Sequence, residues 1–380
     1  MAIDIIIATR GNPYSSCMDA FNQIMPSDKE VHDEFGTAVD GYPDGKIADY
    51  GGLFAYRNQI AEEMGVNRDN VVVTKGSQNF FSRFCSLMRK KHGPLVVGTN
   101  IVTYDRYLQE ARDEDHMAVA LSAVDGIDLR EADRTYQNLK KRGFTVGFLP
   151  FVWPGSNPSG QTNSVEKIMA IADFCSERGI YFLLDEAYRL FAYKKPLSLP
   201  FDDPVFKTTI RLFSESKPGK PDLQIGGGII KDKYLANEMI KKAANGNIGR
   251  GLMNQAKVFM AKRSGKHHSH VQEIISTHYK PNAAQYSRCV AQDLPDAKFV
   301  TSEIEFGFFG LIGLEGITSE ALISKVLEKG VKIADGKDHV PWNMLHRFEN
   351  MALIRLPHGS LDYNDIPLVT QAIADVYYNR

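Results

Sequence analysis

The segment Phe213-Ser214-Glu215-Ser216-Lys217-Pro218-Gly219 decides how the rest of this sequence is interpreted. It places a lysine between serines and a Pro-Gly turn, directly after the apolar run Thr208–Phe213. A lysine at the mouth of a buried strand is partly desolvated, which favours its nucleophilic form, and the nearby hydroxyls suit an anion. A solvated loop lysine is the alternative, and the sequence upstream argues against it.

Short β-branched or aromatic runs alternate with amphipathic stretches around this segment. The predicted strands are Asn70–Thr74, Pro94–Gly98, Thr145–Phe151, Ile180–Leu184, Thr208–Phe213 and Ile225–Ile230, and the predicted helices are Gln78–Lys90 and Val165–Arg178. Strands separated by helices of this length predict a mostly parallel sheet. Because ligands bind at the carboxyl ends of such strands, the polar segments that follow them are the candidate site.

Two more polar segments follow predicted strands. Asp185-Glu186-Ala187-Tyr188 comes directly after Ile180–Leu184, and Pro154-Gly155-Ser156-Asn157-Pro158-Ser159-Gly160 follows Thr145–Phe151. An acid at the end of a buried strand is costly unless it meets a cation, and a helix N-cap or an ion pair with Arg189 is the alternative. The turn chemistry of the second segment can aim an amide into a pocket, although taken alone it suits an ordinary surface loop.

In this order, the Asn-Pro-Ser-Gly, Asp-Glu-Ala-Tyr and Ser-x-Ser-Lys motifs resemble the class I/II aminotransferases, the fold type I family of pyridoxal-phosphate enzymes. The resemblance covers nearly the whole chain, and three ordered motifs are more specific than one. It implies an α/β fold, with a large domain on a mostly parallel sheet of the seven-stranded type and a smaller α+β C-terminal domain. It also implies pyridoxal 5'-phosphate as the cofactor, held by Lys217 as a Schiff base.

The resemblance assigns roles to residues of the three motifs. Lys217 would bind the cofactor and then shuttle the Cα proton of the substrate. Asp185 would pair with the pyridine nitrogen and keep it protonated, so that the ring acts as an electron sink. Asn157 and Tyr188 would hydrogen-bond the phenolic oxygen of the cofactor. Lys217, Asp185 and Tyr188 are therefore the candidate catalytic residues.

The predicted phosphate site combines several turns. Gly76-Ser77-Gln78 follows a strand and opens a helix, which favours an anion, and it resembles the glycine-led phosphate turn of the family. Ser214 and Ser216 would add hydroxyl groups. Tyr50 resembles the tyrosine that family members lend to the phosphate of the partner subunit, and Tyr104 resembles the aromatic residue that stacks on the pyridine ring. A tyrosine beside a strand more commonly just packs.

The sequence departs from the family beyond the lysine. Many members carry a phosphate-binding arginine in a Leu-Arg-x-Gly pattern, whereas this chain has Asp222-Leu223-Gln224-Ile225-Gly226. Gln224 supplies neither the charge nor the bidentate fork of an arginine. The phosphate must therefore use other donors or a different basic residue, and the chain resembles an atypical branch of the family.

The substrate-binding residues are expected in the C-terminal part and at the N-terminus. Arg355 matches the arginine that grips the substrate α-carboxylate, and a charge within the apolar run Ala352–Leu356 is costly without an anion. Gly11 begins a Gly-Asn-Pro segment that resembles the one closing over the substrate, and Asn157 would adjoin it. No second arginine for a dicarboxylic substrate is evident.

Composition excludes several classes of function. The 380 residues have a formal net charge of -1, so no basic excess indicates nucleic acid or an anionic membrane as a partner. No apolar run approaches the roughly 20 residues of a membrane helix. Four widely separated cysteines predict free thiols in a reducing compartment and hence a cytoplasmic protein.

No metal site is expected. His267, His268 and His270 are interpreted as a solvated basic face, because no carboxylate or cysteine has ligand spacing to them. Gly226-Gly227-Gly228 lacks the context of a nucleotide loop and is interpreted as strand or turn backbone.

The predicted division is an N-terminal segment 1–47 that packs with the small domain, a large cofactor-binding domain 48–280 and a small domain 281–380. The last boundary is placed where Lys280-Pro281-Asn282 interrupts the helical pattern. Strands are predicted in the small domain at Phe306–Leu314 and Met351–Leu356, and helices at Ser319–Lys329 and Asp365–Tyr378.

Three functions remain open at this point. The first is an aminotransferase that acts on an L-α-amino acid with a keto-acid co-substrate, as a homodimer with shared active sites. The second is a cyclase, elimination enzyme or oxidase acting on an arginine-derived guanidino amino acid, suggested by the altered loop after Lys217. The third is a non-catalytic regulator, which is disfavoured because such proteins carry a DNA-binding extension for which this chain has no spare N-terminal segment.

Overall fold

The computed structural model describes residues 5–9, 11–123, 126–244 and 251–379. Its strands are β1 Ile6–Ala8, β2 Ala48–Asp49, β3 Gly52–Leu53, β4 Val71–Thr74, β5 Val96–Thr99, β6 Met117–Ala120, β7 Val146–Val152, β8 Tyr181–Asp185, β9 Thr209–Ser214, β10 Gly226–Ile230, β11 Gly310–Glu315, β12 Val331–Asp335 and β13 Met351–Leu356. Its α-helices are α1 Ser15–Ile24, α2 Asp28–Phe35, α3 Phe54–Met64, α4 Ser77–His92, α5 Asp105–Asp113, α6 Leu129–Lys141, α7 Val165–Glu177, α8 Lys233–Ala244, α9 Leu252–Arg263, α10 Lys266–Ile274, α11 Lys280–Asp293, α12 Ser319–Glu328 and α13 Asp365–Tyr378.

Seven strands form the large sheet, in the order β4-β10-β9-β8-β7-β5-β6. The pairs β5–β6, β5–β7, β7–β8 and β8–β9 are parallel, whereas β10 runs antiparallel to both β4 and β9. The predicted mostly parallel sheet is confirmed. Its central strands are almost entirely buried, which explains why they appear in the sequence as unbroken apolar runs. The glycine run Gly226–Gly228 begins β10, as expected for strand backbone.

Helices pack on this sheet through apolar faces. In α4, Phe80, Phe81, Phe84 and Met88 recur at helical spacing and are buried, while the last turn is basic, as suits the negative end of the helix dipole. In α7 the side chain of Ser164 caps the first turn by accepting from the backbone N–H of Lys167. The predicted start of α7 at Val165 therefore reflects this capping hydrogen bond as well as the burial of apolar residues.

The small sheet has the order β1-β12-β13-β11. Its first strand comes from the N-terminus, because Ile6–Ala8 pairs in parallel with Val331–Ile333. The predicted strand at Met351–Leu356 is confirmed as β13, whereas the strand predicted from Phe306 begins only at Gly310. The N-terminal strand was not predicted, since three residues are too few to show a period.

The expected break in the helix at Lys280-Pro281-Asn282 is wrong. The chain remains helical from α10 through a π-helical turn at Ile275–Tyr279 and into α11. Pro281 lies in the first turn of α11, where a missing backbone N–H costs little. The division of the chain into 1–47, 48–280 and 281–380 therefore stays a prediction.

Two smaller expectations concern the cysteines and the membrane. All four cysteines are unbonded and buried, as predicted for free thiols. In the part of the chain that the structure describes, no helix is both long and apolar enough to cross a membrane.

Candidate active site

A cavity of about 480 Å³ opens at the carboxyl edge of the large sheet, between the turns that follow β4, β7, β8 and β9. Ten of the residues predicted from sequence line it together: Gly76, Ser77, Gln78, Tyr104, Asn157, Asp185, Tyr188, Ser214, Ser216 and Lys217. They come from distant parts of the chain and meet because parallel strands end at the same edge. Tyr50, Arg355 and Gly11 do not line this cavity and are described separately below.

Lys217 is partly buried at the wall of the cavity. Its Nζ donates a hydrogen bond to the carbonyl oxygen of Gly11 at 2.8 Å and lies 5.6 Å from the ring centroid of Tyr188. Removal from water lowers the pKa of Lys217 to about 8, and the charge of Arg355 contributes while that of Asp185 opposes. A substantial fraction of this amine is therefore neutral near physiological pH, as a nucleophile or a base requires.

Asp185 is buried at the end of β8. Its Oδ2 accepts a hydrogen bond from the hydroxyl of Tyr107 at 2.5 Å, and its Oδ1 accepts one from the backbone N–H of Ala187 at 3.0 Å. Burial raises the pKa of Asp185 to about 6, and these two hydrogen bonds hold it from rising further. Arg189 lies near Glu63 instead, at 3.9 Å, so the alternative of an Asp185–Arg189 ion pair is wrong.

Asn157 and Tyr188 extend the cavity on either side of Asp185. Asn157 is buried in the turn after β7, and its Oδ1 has no hydrogen-bond partner among the described residues. Tyr188 is buried three residues beyond β8, with its ring edge-on to Phe308 at 5.4 Å. A buried amide without a partner is costly, so Asn157 indicates a ligand whose polar atoms complete the site.

The predicted phosphate turn lies at the start of α4. Gly76 has a φ of 96°, a conformation that favours glycine, and the helix begins at Ser77. The first N–H groups of the 16-residue α4 have no partners within the helix, so they and the helix dipole favour an anion. Ser214 and Ser216 lie at and just beyond the end of β9, which β10 separates from β4 in the sheet. The Ser216 N–H donates a hydrogen bond to the Ser214 hydroxyl at 3.3 Å.

Tyr104 stands at the N-cap position of α5 and lines the cavity beside Gln78. Its hydroxyl donates to Gln78 Oε1 at 3.4 Å, and Gln78 Nε2 donates to Glu110 Oε1 at 3.2 Å. The ring of Tyr104 is edge-on to that of Tyr107 at 5.3 Å. Tyr104 therefore presents an aromatic ring to the cavity while its hydroxyl is held at one end.

Arg355 and Gly11 meet on another side of Lys217. The guanidinium of Arg355 lies 5.1 Å from the ring centroid of Phe309, and its Nη2 donates to the carbonyl oxygen of Thr9 at 2.7 Å. A Cβ atom at Gly11 would clash with the same Phe309 ring. The carbonyl groups of Thr9 and Gly11 thus accept hydrogen bonds from two cations, Arg355 and Lys217.

Tyr50 lies in the β2–β3 hairpin and is 44% exposed. It lines a second, smaller cavity next to the first, and Lys75 and Gln224 line both cavities. Tyr50 is thus near the predicted phosphate turn but does not line the main cavity.

The expected solvated face is wrong for His267 and His270, whereas His268 is exposed as predicted. His267 and His270 are buried, and His267 Nε2 lies 3.3 Å from Glu215 Oε2. Glu215 Oε1 lies 2.6 Å from the buried Nζ of Lys262 and accepts from the Tyr56 hydroxyl at 3.1 Å. Burial alone would raise the pKa of Glu215, but Lys262 and His267 outweigh it and hold the pKa well below its usual range. The described residues contain no group with metal-ligand geometry.

Comparison with known proteins identifies the family. The family described as "Aminotransferase class I and II" matches residues 16–338. This chain belongs to the class I and II aminotransferases. Its enzymes depend on pyridoxal phosphate, and the cavity of this aminotransferase-family enzyme fits that cofactor. A buried carboxylate, a buried amide whose oxygen has no partner among the described residues, a lysine with a lowered pKa and a helix N-terminus with serine hydroxyls all face one space.

Individual relatives are distant. The enzyme is 25% identical to 1-aminocyclopropane-1-carboxylate synthase 3 of Solanum lycopersicum over 221 residues, which are 52% of this chain and 47% of that protein. It is 28% identical to 1-aminocyclopropane-1-carboxylate synthase 1 of Oryza sativa subsp. indica over 162 residues, covering 39% of this chain and 32% of that protein. The matches therefore span less than half of either plant enzyme.

Solved structures share the fold over the whole chain. An archaeal alanine:glyoxylate aminotransferase superposes with a TM-score of 0.87 at 19% identity, covering 100% of this chain and 92% of that one. The kynurenine aminotransferase of Pyrococcus horikoshii gives a TM-score of 0.85 at 20% identity, with the same coverage. At these identities the likeness establishes the fold alone.

Several residues at or next to the cavity were not predicted from the sequence, and three of them have polar side chains that bear on its chemistry. Lys75 and Glu110 line it, and Tyr107 hydrogen-bonds Asp185. Tyr107 follows Tyr104 by three residues on a helix, a spacing that places both on one face. Lys75 directly precedes the glycine of the phosphate turn, so its charge was a usable signal. Nothing in the sequence around Glu110 distinguishes it from an acidic residue on the solvent-facing side of a helix.

Proposed function

We propose that this enzyme transaminates an L-α-amino acid, using pyridoxal phosphate held covalently by Lys217 and a keto acid as the second substrate. The observation that carries the proposal is the convergence of Lys217 and the buried Asp185 on one cavity in a chain of the aminotransferase family. Bound pyridoxal phosphate carries the amino group and withdraws electron density from the Cα carbon of the substrate.

The residues of the cavity divide the remaining tasks. Lys217 Nζ removes the Cα proton and later returns it, a role supported by its pKa of about 8, which keeps part of the amine neutral. Asp185 holds a proton on the ring nitrogen of the cofactor by its negative charge, a role supported by its burial at the end of β8 and its position in the cavity wall. Asn157 and Tyr188 orient the cofactor through its phenolic oxygen.

Arg355 binds the α-carboxylate of the substrate. Its Nη2 already donates to a carbonyl oxygen, that of Thr9, and its Nε is buried without a hydrogen-bond partner among the described residues. A carboxylate offers two acceptor oxygens and a full charge, so it competes well with a single peptide carbonyl. Gly11 leaves room for this exchange because it carries no side chain next to Phe309.

Product analysis tests the proposal. The full-length protein, loaded with pyridoxal phosphate, is incubated with pools of amino acids with and without a keto-acid acceptor, and the products are identified by mass spectrometry. Keto acids that form only with the acceptor are expected, and they should disappear in Lys217→Ala but persist in Lys220→Ala. Products that form equally well without an acceptor would contradict transamination.

A second candidate is elimination, ring closure or oxidation of a guanidino amino acid with the same cofactor. Ring closure is favoured by the names of the two plant relatives, which are synthases of a cyclopropane amino acid, and Gln224 at the usual arginine position favours an atypical reaction. Small differences near the cofactor set the reaction on this fold. Including arginine and hydroxyarginine in the pools distinguishes it, because loss of water or ring closure needs no acceptor.

We also propose a cytoplasmic homodimer with shared active sites. The location of Tyr50 next to the phosphate turn, exposed and outside the main cavity of its own chain, supports its reaching the site of the partner. Four buried free thiols support a reducing compartment.

A further inference from the structure

We propose that Lys75 supplies the positive charge that binds the phosphate group of pyridoxal phosphate, in place of the arginine that Gln224 replaces. Lys75 lies in the turn between β4 and α4, directly before Gly76, and lines the cavity together with Gly76, Ser77 and Gln224. The proposal concerns the family's cofactor and does not depend on which reaction the enzyme catalyses.

Sheet register brings the relevant turns to one point. Gly226 of β10 pairs with Thr74 of β4 on one side and with Ser214 of β9 on the other. Lys75 directly follows Thr74, and Gln224 precedes Gly226 by two residues. Both residues therefore lie next to the row of paired residues Thr74, Gly226 and Ser214. The approach is close, because a Cβ atom at Gly226 would lie 2.8 Å from the Gly76 Cα and from the Ser77 nitrogen.

The charge of the phosphate requires a cation here. The other donors of this corner are neutral: backbone N–H groups of α4, the hydroxyls of Ser214 and Ser216, and the amide of Gln224. A helix N-terminus contributes the equivalent of about half a charge, whereas a phosphate monoester carries close to two. Asp185 and Glu110 add negative charge to the same cavity. An anion brought out of water in such surroundings is costly without a compensating cation.

Lys75 is available for this role, unlike the other lysines nearby. Among the described residues it has no ion-pair or hydrogen-bond partner. Lys220 is paired with Asp222 at 3.1 Å, and Lys262 with Glu215 at 2.6 Å. Lys217, the other described cation that lines the cavity, is assigned to the aldehyde end of the cofactor. A lysine binds phosphate as a point charge and needs no bidentate geometry.

Cofactor binding, measured apart from turnover, tests the proposal. The full-length protein, stripped of cofactor, is titrated with pyridoxal phosphate and separately with pyridoxal, which lacks the phosphate, by the absorbance of the bound cofactor. In Lys75→Gln, the affinity for pyridoxal phosphate should fall by about 10- to 100-fold, the value of a hydrogen bond to a charged group, while the affinity for pyridoxal stays unchanged. Lys75→Arg should bind as the wild type does.

Matched variants separate this effect from a general disturbance. Lys220→Gln removes a paired lysine of the neighbouring turn and should leave both affinities unchanged. Gln224→Arg, added to Lys75→Gln, should restore pyridoxal-phosphate binding by returning the charge to the usual family position. The proposal is overturned if Lys75→Gln binds pyridoxal phosphate as tightly as the wild type, or if it weakens both ligands to the same extent.

Discussion

The pKa values of Lys217 and Asp185 both lie close to 7. The pKa of Lys217 is lowered to about 8, and that of Asp185 is raised to about 6. Desolvation is the main cause in both cases, since it disfavours a charged lysine and a charged aspartate alike. At pH 7 the cofactor-free site therefore holds both charges at a cost. In the proposed function, a cofactor that reacts with Lys217 and pairs with Asp185 would relieve this cost.

The lysine makes the stability of the cofactor-free protein depend on pH. Its pKa is about 8 in the folded protein and near 10.5 in the unfolded chain, so between these values the unfolded chain binds more protons. The contribution of Lys217 to the free energy of unfolding should therefore rise as the pH increases from 8 to 10.5. We expect Lys217→Met to lose this rise.

Urea unfolding at several pH values measures the contribution of Lys217 as the difference in the free energy of unfolding between the wild type and Lys217→Met. Lys220→Met, which alters a lysine of the same loop that is paired with Asp222, serves as the control and should keep the rise. An unchanged pH dependence in Lys217→Met would mean that the amine is not desolvated in the folded protein.

Tyr107 is predicted to keep the pKa of Asp185 from rising further, because its hydroxyl donates a hydrogen bond to the carboxylate. Changing Tyr107 to Phe removes the hydroxyl that donates to Asp185 Oδ2 and leaves this buried oxygen without that donor. We expect the pKa of Asp185 to rise further above 6 and the protein to lose about 1–3 kcal/mol of stability at pH 7. Denaturant unfolding measures the loss, and the acid limb of cofactor binding should move to higher pH. A variant with wild-type behaviour in both measurements would contradict this role.

At the residue scale, the sequence indicated the candidate residues that meet in the cavity but not their hydrogen-bond partners. Lys217, Asp185 and Asn157 occur in motifs whose order is visible along the chain. The hydrogen bond from Tyr107 joins residues that are far apart in sequence, and a buried tyrosine has the same appearance in sequence whether or not it supports an acid. Partner choice depends on distances that only the folded chain defines.

At the scale of elements, α9 and α10 hold the lysine turn in place through a buried ion network. Lys262 of α9 and His267 of α10 both contact Glu215, which lies two residues before Lys217. We expect Lys262→Met to destabilise the protein by about 3–5 kcal/mol at pH 7, because it leaves a buried carboxylate without its cation. Urea unfolding measures the loss, and Glu215→Gln combined with Lys262→Met should recover much of it.

The pH dependence of this network has a defined sign. The pKa of Glu215 in the folded protein lies well below its ordinary value of 4.5. Its stabilising contribution is therefore complete above pH 4.5 and is lost as the pH falls below that value. The penalty of Lys262→Met should shrink in the same acidic range, and a penalty that stays constant down to pH 3 would contradict the assigned ion pair.

The contact between β10 and the start of α4 should be sensitive to a single methyl group. Gly226→Ala would place a Cβ atom 2.8 Å from the Gly76 Cα and the Ser77 nitrogen. We expect a loss of about 1–3 kcal/mol, as for other overpacked sites, together with weaker binding of pyridoxal phosphate. Cofactor titration and urea unfolding measure the two effects. Gly41→Ala, where a Cβ atom meets open space, is the control and should change neither.

Elements were predictable where local pattern and burial agree. The strands β8 and β9 and helix α7 were predicted to within one residue at each end, since apolar runs and capping residues mark them. The helical path through Pro281 was not predictable from the proline alone, because a proline is tolerated in a first turn. The burial of His267 depends on Glu215, which lies in another element.

At the scale of the whole molecule, we expect cofactor binding to depend on self-association. If Tyr50 of one subunit contributes to the phosphate site of another, dilution below the dimer dissociation constant should weaken the affinity for pyridoxal phosphate. Sedimentation and cofactor titration over the same concentration range measure the two equilibria. Tyr50→Phe should weaken cofactor binding without changing sedimentation. A monomer with full cofactor affinity would contradict shared sites.

The order of three short motifs was sufficient to predict the family and the seven-stranded sheet, because fold and cofactor constrain those positions together. The closure of the N-terminus over the site was only partly predictable. The contacts of Thr9 with Arg355 and of Gly11 with Lys217 join the N-terminal segment to distant parts of the chain through backbone carbonyls, which carry no sequence signature.

The antiparallel insertion of β10 has a consequence for the timing of assembly. Among the described strands of the large sheet, β4 is hydrogen-bonded only to β10, although β10 comes much later in the chain. On the ribosome, β4 and the turn after it must wait as an unpaired edge until β10 has emerged. The corner formed by β10 and the turn after β4 can therefore be completed only after residues 226–230 have left the ribosome, which is well before the last of the 380 residues is added.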